Sequence, residues 1–142
     1  MQSIAPTGHS RRRIPPPIAE LLGMTLITAG EDRAVVELDA SERHANPMGT
    51  LHGGVLCDLA DLAMGAAFAS GLADDESFTT LELKINFLKP VWNAHLVATG
   101  RVVRRGRSVG MVECDVTDET GALVARASST CLTLRERQAT GR

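Results

Sequence analysis

The densest group of residues able to do chemistry lies between Arg43 and Asp61, in the sequence RHANPMGTLHGGVLCDLAD. Within it, His52-Gly53-Gly54 stands where a long apolar run begins. If a helix begins there, its first backbone N–H groups have no partner inside the helix, and such groups bind anions or polarise a carbonyl oxygen. The Gly53 N–H is therefore a candidate donor to the oxyanion that forms when a carbonyl is attacked, although helix capping alone would also explain the glycines.

Two carboxylates, Asp58 and Asp61, follow in the same run. At about 100° per residue they share one narrow helical stripe with Gly54 and Gly65, and the rest of the helix surface is almost entirely apolar. Asp58 lies near the first turn, where the helix dipole favours a carboxylate. Asp61 lies a turn further in, where that effect has faded. It is either a polar residue at the surface or a group that attacks a substrate or activates water.

The separation of Gly53 and Asp61 decides how they can work together. Eight residues at about 1.5 Å rise place them roughly 12 Å apart along one helix. One chain cannot bring both groups to the same carbon. A functional pair therefore requires Gly53 of one subunit to face Asp61 of another, most simply in a two-fold dimer with two equivalent sites.

The elements that must position these residues follow from hydrophobic periodicity. The run from Gly53 to about Ser70 has no Pro and predicts the one long helix. A short helical turn is expected at 18–22, and alternating or β-branched residues predict five strands, at 33–39, 81–87, about 95–104, 108–117 and 122–134. Short connections between the last strands predict an antiparallel meander. The order is that of an α+β fold, in which one helix buries its apolar surface against a single sheet.

Composition limits what the chain can be. With 142 residues, 44% hydrophobic composition and a formal net charge of −2, it fits one domain, which we place at 18–136. Residues 1–17, rich in Arg and Pro, are expected to be a flexible arm, and 137–142 a short tail. The charge balance argues against nucleic acid, and we predict neither a membrane span nor a signal peptide and expect a cytoplasmic location. Three cysteines without CxxC spacing favour neither disulfides nor a zinc site.

The spacing of the motifs resembles one known family. Asn46 stands six residues before His52-Gly53-Gly54, Leu59-Ala60-Asp61 follows, and the next strand ends in Asn86-Phe-Leu-Lys-Pro90. From about Leu21 to Leu134 the chain resembles the hotdog-fold acyl-CoA thioesterases of the PaaI-like branch, related to phenylacetate-pathway and 4-hydroxybenzoyl-CoA thioesterases. The resemblance implies an antiparallel sheet wrapped around one central helix, with active sites at a dimer interface.

The resemblance also implies roles for individual residues. Asp61 would be the nucleophile or the general base that activates water, and the Gly53 N–H would polarise the thioester carbonyl. His52 and Asn46 would position the thioester or the loop around it. A hydroxyl at the start of the next strand, Thr80 or its competitor Thr79, would orient Asp61 or the water, and strand alternation lets only one of the two face the site. No metal or cofactor is required.

The substrate implied is an acyl-CoA, whose phosphates need cations. Arg104, Arg105 and Arg107 surround a predicted hairpin turn and are candidates to bind them, since arginine pairs with phosphate bidentately. A solvated turn would also explain these arginines. Gly54 is a further candidate for substrate contact. Family members are often tetramers built of two dimers, so a homotetramer is expected.

Three functions fit the resemblance. Hydrolysis of an aryl- or medium-chain acyl-CoA is favoured. A non-catalytic acyl-CoA-binding protein is the main alternative. A hotdog hydratase or dehydratase is the third, but the His and carboxylate order typical of those enzymes is not found.

Overall fold

A computed structural model of the chain describes residues 15–135. Of the predicted arm at 1–17, only the last three residues fall within this range. The predicted tail at 137–142, and residue 136 of the predicted domain, lie outside the described residues.

The described chain contains two α-helices, one short 3-10 helix and six strands. In chain order they are α1 (Pro17–Leu22), β1 (Met24–Gly30), β2 (Arg33–Ala40), the 3-10 helix (Glu42–His44), α2 (Gly53–Ser70), β3 (Ser77–Phe87), β4 (Ala94–Arg105), β5 (Val109–Thr117) and β6 (Leu123–Leu134). The predicted helix and the five predicted strands are all present. A sixth strand, β1, is absent from the prediction.

All six strands form one antiparallel sheet in the order β1-β2-β4-β5-β6-β3. Strands β4, β5 and β6 form the expected meander, while β3 crosses over to the far edge. The two edges of the sheet are therefore β1 and β3. Strand β1 carries a bulge at Ile27, between Leu26 and Thr28, whereas β3 is eleven residues long.

Helix α2 packs across one face of this sheet, and Gly100 of β4 lies close against its backbone. A methyl group on Gly100 would lie 2.4 Å from the Ala63 carbonyl oxygen, a distance that no real side chain occupies. Eight residues of α2 are buried, among them Leu59, Met64 and Phe68, and they form the centre of the core with the inward residues of the sheet. The α+β architecture expected from the sequence is thus confirmed.

Helix α2 is long and apolar enough to pass for a membrane span by length and composition alone, although no span is predicted from the sequence. Its packing against the sheet identifies it instead as a core helix. The three cysteines are free thiols in the described chain, with Cys114 and Cys131 buried and Cys57 half-buried.

Candidate active site

The N-terminus of α2 leaves one backbone donor available. His52 is the N-cap residue, and its Nδ1 atom accepts a hydrogen bond of 2.9 Å from the Gly54 N–H. The Gly53 N–H, by contrast, makes no hydrogen bond to any residue between 15 and 135. Capping by His52 thus uses the Gly54 amide and leaves the Gly53 amide free to bind a ligand, so the expected contact of Gly54 with substrate can involve only its carbon atoms and carbonyl.

Asn46 fixes the loop that leads into this helix. Its amide nitrogen donates to Thr50 Oγ1 at 2.7 Å, and its side-chain oxygen accepts from the Met48 N–H at 2.9 Å. A backbone bond from the Asn46 N–H to the Thr50 carbonyl closes the same loop. The side chain of Asn46 is therefore engaged in shaping the loop beside Gly53.

A cavity of ≈ 400 Å³ adjoins this free amide. The loop contributes Asn46, the helix contributes Gly53 and Leu56, and the opposite wall is the segment that follows β3. The full lining is Asn46, Thr50, Leu51, Gly53, Leu56, Phe87, Leu88, Lys89, Pro90 and Val91.

Asp61 lies in a second cavity, together with Thr80. Burial by neighbouring atoms raises the pKa of the Asp61 carboxyl, the Asp58 carboxylate raises it further, and a hydrogen bond from Thr80 acts against both. Thr80 pairs in register with the buried Cys131 and faces the helix, whereas Thr79 pairs with Leu132 on the other face of the sheet. Thr80 is therefore the hydroxyl residue placed beside Asp61.

The Asp61 cavity is ≈ 380 Å³ in volume and mostly apolar. Helix α2 forms one wall and the start of β3, with Phe78, forms the other. It is lined by Pro15, Pro16, Leu26, Asp61, Leu62, Gly65, Ala66, Ala69, Leu72, Glu76, Ser77, Phe78 and Thr80. Its shape suits an apolar group held next to a carboxylate.

The two cavities share no lining residue within the described chain. Asn46 and Gly53 belong to one, and Asp61 and Thr80 to the other. The predicted site residues therefore form two separate half-sites on one helix, about 12 Å apart by the rise between Gly53 and Asp61.

Among the arginines near the β4–β5 turn, Arg105 is half-buried, whereas a contact with a ligand phosphate would need an accessible guanidinium. A bulge between Val102 and Arg104 inverts the alternation of β4, so the Arg105 side chain points inward. It bonds to Asp32 and to the Phe68 carbonyl, both at 2.7 Å, and stacks over the Phe68 ring at the C-terminal end of α2. The Arg105 guanidinium is therefore engaged by partners within the fold, whereas Arg104 and Arg107 are exposed.

Asp58 and the other histidines have simpler roles. Asp58 is exposed on α2, as its position near the helix start predicted. His44 is buried and contacts both the Leu22 carbonyl and the Ser41 N–H, and His95 forms surface contacts with Asp39. Within residues 15–135, no three His, Cys, Asp or Glu side chains group in a way that could hold a metal ion.

Two aromatic residues at these half-sites were not singled out from the sequence. Phe78 lines the Asp61 cavity, and the ring of Phe87 lies over Gly53. Both are inward positions of β3, but the irregularity between Thr80 and Glu82 separates them, so alternation in the sequence signals Phe87 and not Phe78.

Comparisons with known proteins identify relatives that share this fold. Residues 48–125 match the family model of the thioesterase superfamily. The Saccharolobus solfataricus protein SSO2140 is 36% identical over 83% of this chain and 84% of its own length. A 1,4-dihydroxy-2-naphthoyl-CoA hydrolase of Listeria monocytogenes is 30% identical over 85% of this chain and 98% of its own. The solved structure of the E. coli PaaI protein, from the phenylacetic acid degradation operon, superposes with a TM-score of 0.79 at 26% identity and covers 90% of this chain and 91% of its own.

Proposed function

The chain belongs to the thioesterase superfamily and is a thioester hydrolase with the hotdog fold, as the resemblance implied, and on that premise we propose how its two half-sites act. The substrate is an aryl- or medium-chain acyl-CoA, which is hydrolysed to the free acid and coenzyme A. The observation that carries the proposal is the free Gly53 amide in one cavity and the Asp61 carboxylate in the other.

The complete site is formed between two subunits. Gly53 and Asp61 lie in separate cavities of one chain. The Gly53 cavity must therefore be completed by Asp61 of a second copy, and the Asp61 cavity by Gly53 of that copy. The outer edge of β3 supports such pairing, since no strand lies beside it in the described chain and Leu81 and Phe87 are both 55% exposed there. An edge of this length with apolar side chains favours pairing with a second copy.

In this arrangement the thioester carbonyl accepts a hydrogen bond from the Gly53 N–H. Asp61 of the partner subunit either attacks the carbonyl carbon or takes a proton from a water molecule that attacks it. The C–S bond then breaks, the acyl group gains an oxygen derived from water, and the thiolate of coenzyme A takes up a proton. The Gly53 amide stabilises the negative charge on the carbonyl oxygen in either route.

The acyl group occupies the cavity beside Asp61. From Asp61 to Ala69 this cavity follows α2 for roughly 12 Å, which suits an aryl group or a medium-length chain. Phe78 offers a ring face to an aryl group, while Leu62 and Leu72 suit either kind of chain. Both acyl classes therefore remain in the proposal.

Coenzyme A would extend from the shared site over the surface. Arg104 and Arg107, which are exposed, are the proposed phosphate contacts, and Arg105 is left out because its guanidinium is held by Asp32 and the helix end. A dimer of dimers and a cytoplasmic location belong to the same proposal.

Thiol release from a panel of acyl-CoAs tests this function. Asp61→Asn should abolish release, while Asp58→Asn should retain it at neutral pH. Asp58 is the matched control, because it is another exposed carboxylate on the same helix. Release that survives Asp61→Asn would refute the role of Asp61. Binding of acyl-CoA without any release by the wild-type protein would favour the non-catalytic alternative.

A further inference from the structure

Phe87, the last residue of β3, places its ring directly over Gly53. A Cβ atom built on Gly53 would lie 2.8 Å from Phe87 Cζ, 3.1 Å from Cε2 and 3.2 Å from Cε1. The side chain is nevertheless 55% exposed, so the ring contributes little to the core. Its contact is with the side of the Gly53 backbone where a Cβ would stand, on the residue that carries the free amide, and both residues line the same cavity.

The segment that carries the ring is held firmly. The Leu88 and Lys89 N–H groups both donate to the Val124 carbonyl, at 2.9 and 3.2 Å. The Lys89 ammonium group pairs with Asp118, whose side chain is only 5% exposed. The hydrogen bond from Lys89 is the main cause that holds the pKa of Asp118 far below its usual range, so the pair stays ionised. Phe87 is thus fixed relative to Gly53 by anchors on both sides of the β5–β6 turn.

We propose that Phe87 is a positioning residue for thioester hydrolysis, which keeps water away from the Gly53 amide and limits how the carbonyl approaches it. The inference rests on the proposed function. An N–H donor shielded from water stabilises a developing negative charge more strongly than a solvated one, because the local dielectric constant is lower. A ring that served only as packing would affect stability and leave turnover unchanged.

The first test measures kcat and KM for Phe87→Ala and Phe87→Leu. We expect kcat to fall about tenfold for the alanine variant and less for the leucine variant, a fraction of the roughly 10²–10³-fold cost of deleting an oxyanion donor. KM should change little. The factor by which kcat falls should be the same for every acyl-CoA in the panel, because all of them share the thioester carbonyl.

Trp92→Ala is the matched control for this test. Trp92 is another aromatic side chain, is 58% exposed and lines neither cavity, so its removal should leave kcat unchanged. Phe87→Leu keeps an apolar side chain and serves as the decisive variant if Phe87→Ala melts below the assay temperature. A loss of kcat that disappears at high protein concentration would mean that Phe87 acts on subunit association, and it would overturn the proposal.

A double-mutant cycle tests the contact itself. Gly53→Ala keeps the N–H but places a methyl group against the Phe87 ring, so it should lower activity. In the Phe87→Ala background this clash is gone. The factor by which activity falls in the double variant should therefore be smaller than the product of the factors for the two single variants. Multiplicative losses, or Phe87 variants that match Trp92→Ala, would refute the inference. Failure of the proposed function would look different from failure of this inference. It would appear as wild-type protein that releases no thiol, or as thiol release that survives Asp61→Asn.

Discussion

Mixed dimers of two inactive variants test the two-subunit site most directly. Gly53→Pro deletes the free Gly53 donor and suits the helix start, because proline is tolerated at the first helical position; its Cβ meets the Phe87 ring, as that of Gly53→Ala does. The preceding residue, His52, has φ −64° and ψ 131°, an extended conformation that proline accepts in its neighbour. Asp61→Asn removes the carboxylate from the other half-site. Each variant alone should lose at least about a hundredfold in activity.

In a dimer that combines the two variants, one site receives both defects and the other receives neither. Random exchange of equal amounts makes half of the dimers mixed, and half of the sites in those dimers are intact. The mixture should therefore recover about a quarter of wild-type activity per chain. This exceeds the activity of either parent by more than about twentyfold.

The assay is thiol release after the two variants are unfolded together and refolded, with native mass spectrometry to count mixed dimers. Gly53→Ala, which adds a side chain but keeps the N–H, separates the effect of the lost donor from that of added bulk. If mixed dimers form and activity stays at the sum of the parents, Gly53 and Asp61 do not meet across an interface.

Three further predictions concern acidity, specificity and stability. In the proposed mechanism Asp61 acts as a carboxylate, and because its pKa is raised, kcat/KM should fall on acidification at a pH above the usual range of aspartate. Asp58→Asn removes a like charge and should shift that fall to lower pH in a pH–rate profile. Gly65→Val should reduce kcat/KM for long or aryl acyl-CoAs far more than for acetyl-CoA, because the added methyl groups narrow the acyl cavity; an equal loss for all substrates would contradict its assignment. Gly100→Ala forces a methyl group against the Ala63 carbonyl and should lower the free energy of unfolding by about 1–3 kcal/mol in urea titrations, whereas unchanged stability would mean that the helix can move away from β4.

The sequence predicted the parts of the site that depend on one continuous helix. The bounds of α2 and its exposed stripe follow from residue type and helical period. The separation of Gly53 from Asp61 also follows from the helical rise. The structure places the two residues in different cavities, as that separation required. The strand β1 was missed because its burial does not alternate: Met24 is buried, but the pattern beyond it is broken by the bulge at Ile27.

Bulges also explain why the sequence could not predict which face of the sheet some strand side chains occupy. A period of two predicts the facing of side chains only while the register is unbroken. The bulge after Val102 turns Arg105 inward, where an unbroken alternation from Val102 would place Arg104. A second irregularity, between Thr80 and Glu82, means that counting back from the rest of β3 assigns Thr80 to the wrong face. Such irregularities depend on pairing with distant strands and leave no local signal.

The unequal edges of the sheet bear on how large the assembly can grow. If two copies join through β3, the joined sheet presents β1 at both of its ends. Each copy has one β3 edge, and a two-fold contact between the two β3 strands uses both of them. Addition through β3 therefore stops after one step, so the pairing proposed to complete the active sites would yield a closed particle instead of an open-ended fibre.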